Sequence, residues 1–202
     1  MTATESDAWA SPNADSIYAA QRMHAIGVAA MAISDFRLAA KMFDELIKLI
    51  PNPLHWISLG EALGKMRKCD ESRAAFESAL RMDPNFADAW YNMGVMYEES
   101  GDAEKAEQAY LRGLALRETP EGRNNLANTQ RAQLKLTEAE ANYRRAAEIG
   151  YAGAQMNLSL LLMLKGDYVQ GLPLFEKREE YGSDQAYGPA RAMLATLRAA
   201  PP

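Results

Sequence analysis

Trp56-Ile-Ser-Leu-Gly60 returns as Trp90-Tyr-Asn-Met-Gly94, 34 residues further along the chain. The same step organises most of the sequence around it. Phe43, Phe76, Tyr110, Tyr143 and Phe175 follow one another at intervals of 33, 34, 33 and 32 residues. Two sets of small residues keep the same intervals: Gly27, Gly60, Gly94, Ala127 and Ser159, then Ala39, Ser72, Ala106, Ala139 and Gly171. A period of this length in register marks a repeat architecture, in which each unit buries its apolar face against its neighbours.

Each unit holds two runs of helical period joined by turn residues. Trp90, Met93, Gly94 and Tyr97 fall at i, i+3, i+4 and i+7, one face of a helix. Gly101 closes that helix and Asp102 caps the next, whose inner face is Ala106, Tyr110 and Gly113. Gly166-Asp167 repeats this stop-and-start signal, and Thr137-Glu-Ala-Glu140 has the spacing of a capping box. The small residues predict close helix approach, with the aromatic filling the space beside them. Pro51 and Pro84 close the first two units.

This pattern of aromatic, small residue, tyrosine, alanine, aromatic and proline resembles the tetratricopeptide repeat (TPR). The resemblance implies an all-α fold: a right-handed TPR superhelix of about five helix-turn-helix repeats with a C-terminal capping helix. The repeats are drawn at about 20–52, 53–86, 87–119, 120–151 and 152–185, within a single solenoid over 15–199. Residues 1–14 read as a disordered leader, and 185–199 as the cap that shields the apolar end. Arg123 and Met156 stand where the leading aromatic is expected, and Arg67-Lys-Cys69 replaces the glycine turn of the second unit.

Composition narrows the function classes. The chain has 202 residues, 48% hydrophobic and 24% charged, with a net charge of −5. An acidic balance gives no general attraction to nucleic acid or an anionic membrane. The longest apolar stretch, around Leu158 to Leu164, is far short of the ~20 residues a membrane span needs. Without an export signal, and with Cys69 the lone cysteine, the expectation is a reducing cytoplasm. No phosphate-binding glycine loop, nucleophile elbow or His-Glu-x-x-His occurs. No catalytic residue, cofactor or metal is therefore expected.

The first helix of each pair lines the concave groove, as the TPR resemblance implies. Residues turned away from the core stripe are then Tyr91, Asn92, Val95 and Glu98 in the third unit, and Asn124, Asn125, Asn128 and Arg131 in the fourth. In the fifth they include Met156, Asn157, Leu160 and Met163, and in the second Leu54, Ile57, Glu61 and Lys65. Asn92, Asn125 and Asn157 recur in register although asparagine is a poor helix former. An amide offers both a donor and an acceptor, so these residues can bracket an extended peptide backbone. At helix spacings of about 8–10 Å such a ladder grips about five or six extended residues. The alternative is that the asparagines bond neighbouring helices or water.

Asn124-Asn-Leu-Ala-Asn128 and Tyr143-Arg-Arg-Ala-Ala147 also resemble the TPR arm of O-linked N-acetylglucosamine transferases. Gly166-Asp-Tyr-Val-Gln-Gly-Leu-Pro-Leu-Phe-Glu-Lys-Arg178 is similar to the last repeat of bacterial TPR proteins that precede a sugar-transferase domain. That resemblance implies a recognition arm, with the asparagine ladder as its substrate-holding surface.

The remaining candidates are weaker. His24, His55 and Cys69 fall in different turns and are expected on different faces, which argues against a metal site. Cys69 is expected as a small buried residue beside a turn. Glu98-Glu99 reads as a solvated helix end. Met156, Leu160 and Met163 form an apolar patch, covered by a C-terminal segment carrying Tyr187, Met193 and Leu197 or open to a partner. The expected function is a non-catalytic scaffold that binds a protein or peptide, with no nucleic acid or membrane partner. The alternatives are the N-terminal recognition arm of a longer glycosyltransferase-like enzyme, a chaperone-like holder of an apolar segment, and self-association through an apolar end.

Overall fold

The computed structural model describes residues 14–176. The expected leader lies outside them but for Ala14, as do the linker and the capping helix. The described residues form ten α-helices in five hairpins. The chain divides after Glu118 into two compact units. The first holds α1 (Ala14–Ala32), α2 (Phe36–Leu49), α3 (Pro53–Lys65), α4 (Cys69–Met82), α5 (Ala87–Glu99) and α6 (Ala103–Leu116). The second holds α7 (Pro120–Ala132), α8 (Leu136–Glu148), α9 (Ala152–Leu164) and α10 (Tyr168–Glu176). α1 begins well before residue 20, where the first repeat was drawn.

The 33-residue rhythm is written in the turns. Ser34, Arg67, Gly101, Leu134 and Gly166 each take a left-handed backbone, with φ between 61° and 83°. At each one the chain makes the same paired closure: Asp102 N–H reaches the Tyr97 carbonyl at 2.9 Å and Gly101 N–H that of Glu98 at 3.0 Å. This double bond pattern satisfies the last carbonyls of the finishing helix. The following residue starts the next helix. Asp35, Asp102 and Asp167 accept from the backbone N–H of Leu38, Lys105 and Gln170 at 3.1, 3.2 and 3.1 Å. Lys68 and Lys135 occupy the same place in the second and fourth repeats and provide no side-chain cap. The expected capping box at Thr137 does not form, because α8 already starts at Leu136 and Thr137 lies within its first turn. Asn52-Pro53 and Thr119-Pro120 start α3 and α7, their side chains accepting from Leu54 and Gly122 N–H at 2.8 and 3.0 Å.

The spaced aromatics form the core as expected. Phe43, Phe76, Tyr110, Tyr143 and Phe175 are all buried. Each helix pair closes on small residues. A methyl group placed on Gly60 would lie 2.5 Å from the Phe76 ring, and one on Gly27 2.8 Å from that of Phe43. Where serine replaces the small residue, its hydroxyl is used. Ser72 on α4 donates to the Gly60 carbonyl at 2.7 Å, and Ser159 on α9 donates to that of Gly171 at 2.9 Å. The serine has changed sides of the hairpin, yet it ties the same crossing.

Candidate functional site

In the first unit, α3 and α5 frame two adjoining hollows. One, of about 270 Å³, also reaches Met31 of α1 and Cys69 and Phe76 of α4; its α5 wall is Asn92, Val95, Met96 and Glu99. The other, of about 260 Å³, runs along Leu54, Ile57, Asp88 and Tyr91. Glu61 and Asn92 line both. Asn92 Nδ2 donates to Glu61 Oε1 at 3.1 Å, so this pair forms the sill between the hollows. Glu61 belongs to the sequence-derived groove face, but nothing singled it out; its importance comes from the neighbouring helix that presents Asn92 to it.

Two other groove candidates of α5 spend their polar groups within the helix pair. Tyr91 packs its ring where a side chain on Gly113 would sit, and its hydroxyl donates to the Arg117 carbonyl. Arg117 in turn pairs with Asp88. Glu98 is not a solvated helix end. Its carboxylate accepts the hydroxyl of buried Tyr110 at 2.7 Å, which turns it toward the helix pair and away from the groove. Burial, and then this carboxylate, raise the Tyr110 pKa above the ordinary tyrosine value.

In the second unit the asparagines bond to one another. Asn124 is only 5% exposed, and its Oδ1 accepts from Asn157 Nδ2 at 2.8 Å. It faces the next repeat, not an open groove. Asn128 Oδ1 accepts the Tyr143 hydroxyl at 2.6 Å and lies 3.5 Å from the Asn157 amide. Asn125 is half-buried, and Arg131 is exposed. The missing aromatic at Arg123 is replaced by a polar chain: Arg123 donates to Asn142 Oδ1 at 2.9 Å, and Asn142 donates to Gln130 Oε1 at 2.9 Å. On α9, Leu158, Leu161 and Leu162 are buried, Met156 and Met163 half-buried, and Leu160 and Leu164 exposed.

Two further expectations are overturned. His24 and His55 are not on separate faces; their rings lie 6.1 Å apart, because α1 and α3 flank α2 in the packed unit. His55 Nδ1 lies 3.0 Å from the Ile50 carbonyl and donates to it, and burial lowers the His55 pKa. Among the described residues no three His, Cys, Asp or Glu side chains are placed to share a metal ion. Cys69 is exposed, because it opens α4 at the mouth of the larger hollow. No described helix is long and apolar enough to cross a membrane.

Residues 57–122 match the family model described as tetratricopeptide repeat. The chain has the tetratricopeptide-repeat fold. Its TPR fold is shared with a crystal structure of MamA protein, at a TM-score of 0.67 and 18% identity over 83% of this chain and 98% of that one. The Pseudomonas aeruginosa pilF structure aligns at a TM-score of 0.78 and 17% identity, over 91% and 84% of the two chains. Among curated relatives, the TPR chain is 30% identical to the Hsp70-Hsp90 organizing protein of Triticum aestivum over 115 residues, 56% of this chain and 20% of that protein. It is 29% identical to small glutamine-rich tetratricopeptide repeat-containing protein 2 of Saccharomyces cerevisiae over 89 residues, 44% of this chain and 26% of that one. Human protein O-mannosyl-transferase TMTC3 matches at 25% identity over 192 residues, covering 74% and 21%. The TPR chain thus spans no more than about a quarter of these relatives.

Proposed function

We propose that this TPR chain is a non-catalytic protein-interaction scaffold that holds an extended segment of a partner in the hollows between α3 and α5. The observation that carries this is the Glu61–Asn92 sill, a polar pair placed between two hollows whose walls mix apolar and polar side chains. Polar groups at fixed positions set a ligand's orientation while the apolar parts of the walls supply contact area. A relative named as an organizing protein for Hsp70 and Hsp90 supports a scaffolding role. In the second unit, taken by itself, Asn125 and Arg131 are candidate contact residues, while Asn124, Asn128 and Asn157 chiefly hold that unit's helices in place. Partner capture by the wild type, by Val95→Arg and by Asn92/Asn125/Asn157→Ala tests this. A named partner retained by the wild type and lost with Val95→Arg supports the groove, whereas retention by all three moves the site elsewhere.

A second reading is a recognition arm of a larger transferase, favoured by the match to a named O-mannosyl-transferase along 74% of this chain. It requires a catalytic domain in the same coding frame. Reading that frame beyond Pro202 decides it.

A further inference from the structure

The groove's polar groups are unbalanced in a way that selects a ligand. Asn92 spends an amide hydrogen on Glu61 and keeps its Oδ1 as an acceptor. Glu61 Oε1 is taken, but its second carboxylate oxygen is not engaged by any described side chain, and Glu99 on the same wall has no ion-pair partner among the described residues. Against these carboxylates the larger hollow has Lys65, at the last turn of α3. Asp88 in the smaller hollow's wall is already paired with Arg117. The hollows therefore offer more acceptors than donors and carry net negative charge, while Met31, Val95 and Met96 provide apolar contact beside them.

We propose that the groove selects an extended segment carrying a lysine or arginine flanked by apolar residues, the cation entering against Glu61 and Glu99. This rests on the α3–α5 hollows being the binding site. An ammonium or guanidinium supplies donors and no acceptor, the complement of what Glu61, Asn92 and Glu99 leave open. An acidic segment or a C-terminal carboxylate meets repulsion here, with Lys65 alone to offset it.

Selection of a displayed random dodecapeptide library on the whole chain tests the inference, followed by fluorescence polarisation with the enriched peptides. The expected peptides share a Lys or Arg with apolar neighbours, and their affinity falls about 10-fold for Glu61→Gln/Glu99→Gln. Gln at position 61 keeps the oxygen that Asn92 needs, so the sill survives. The same peptides lose binding with Val95→Arg. They also shield Cys69, the chain's one cysteine and part of the hollow's lining, from alkylation in the wild type. That measurement needs no variant to fold. Peptides that shield Cys69 yet show no cation preference, or ignore the double Gln variant, overturn the cation inference and leave the groove standing. Peptides that leave Cys69 open, or a library yielding no binders, overturn both.

Discussion

The third and fourth repeats, α5–α6 and α7–α8, share a repeat pattern and solve it with different chemistry. In the third, Trp90 leads and sends its indole N–H to the Pro84 carbonyl at 3.0 Å; in the fourth, Arg123 leads into the Asn142–Gln130 amide chain. Tyr110 crosses the bare face of Gly94 to reach Glu98, four residues beyond it. Tyr143 reaches Asn128, one residue beyond Ala127. The partner chosen by the tyrosine hydroxyl thus decides whether the opposing helix can carry a side chain. The lesson is that the period specifies shape, while the polar partners are chosen locally. They determine which faces remain open to a ligand.

The comparison breaks most visibly at Gly94. Alanine is native at the equivalent position 127, yet a Cβ at 94 would fall inside the Tyr110 ring contact. Gly94→Ala is expected to destabilise by about 2–3 kcal/mol, as overpacking of a filled core does. Urea unfolding measures it, and a change near zero would mean that Tyr110 swings aside to make room.

The asparagines sharpen it next. Asn157→Ala strips the donor from buried Asn124, so a loss of about 1–3 kcal/mol is expected from the orphaned acceptor. Asn92→Ala releases Glu61, which is exposed and rehydrates, so its cost stays within about 0.5 kcal/mol. Equal losses would place Asn92 among the structural asparagines and weaken the groove proposal.

Here the limits of the sequence are plain. The 33-residue spacing identified all five buried aromatics, the crossings of small residues and the Asp102 and Asp167 caps. The aromatics and crossings depend on period alone, and the caps on the local Gly-Asp pair. It could not separate Asn92 from Asn124 and Asn157, because an amide at the edge of a helix face turns toward whichever partner the adjoining repeat presents. The His24–His55 approach was hidden for the same reason, since it joins two residues across an intervening helix. Glu98 looked solvated because its partner, Tyr110, sits on the return helix.

Tyr110 also gives the third repeat an alkaline weakness. Its raised pKa means that the unfolded chain loses the phenolic proton first, so the folded state binds more protons above pH ~10. Stability from this group is complete below that pH and declines as pH rises, by at most about 1.4 kcal/mol per pH unit. Tyr110→Phe is expected to flatten the slope between pH 9.5 and 11 in denaturant titrations. An unchanged slope would mean that other tyrosines carry it.

The turns should give an effect of the opposite sign. The third repeat turns through Gly101-Asp102, and the fourth through Leu134-Lys135. Leu134 holds φ at 61° while 80% exposed, so its side chain gains no burial in return for a strained backbone. Lys135 leaves the first turn of α8 without a side-chain cap. Converting the fourth turn to the third, Leu134→Gly with Lys135→Asp, is expected to stabilise by about 1–2 kcal/mol. The glycine's gain is reduced by the added freedom of the unfolded chain, which sets the upper end of that range. The stabilisation should appear as a higher urea midpoint with an unchanged slope. A gain from Lys135→Asp alone, with none from Leu134→Gly, would assign the weakness of the fourth turn to its empty cap and not to its backbone.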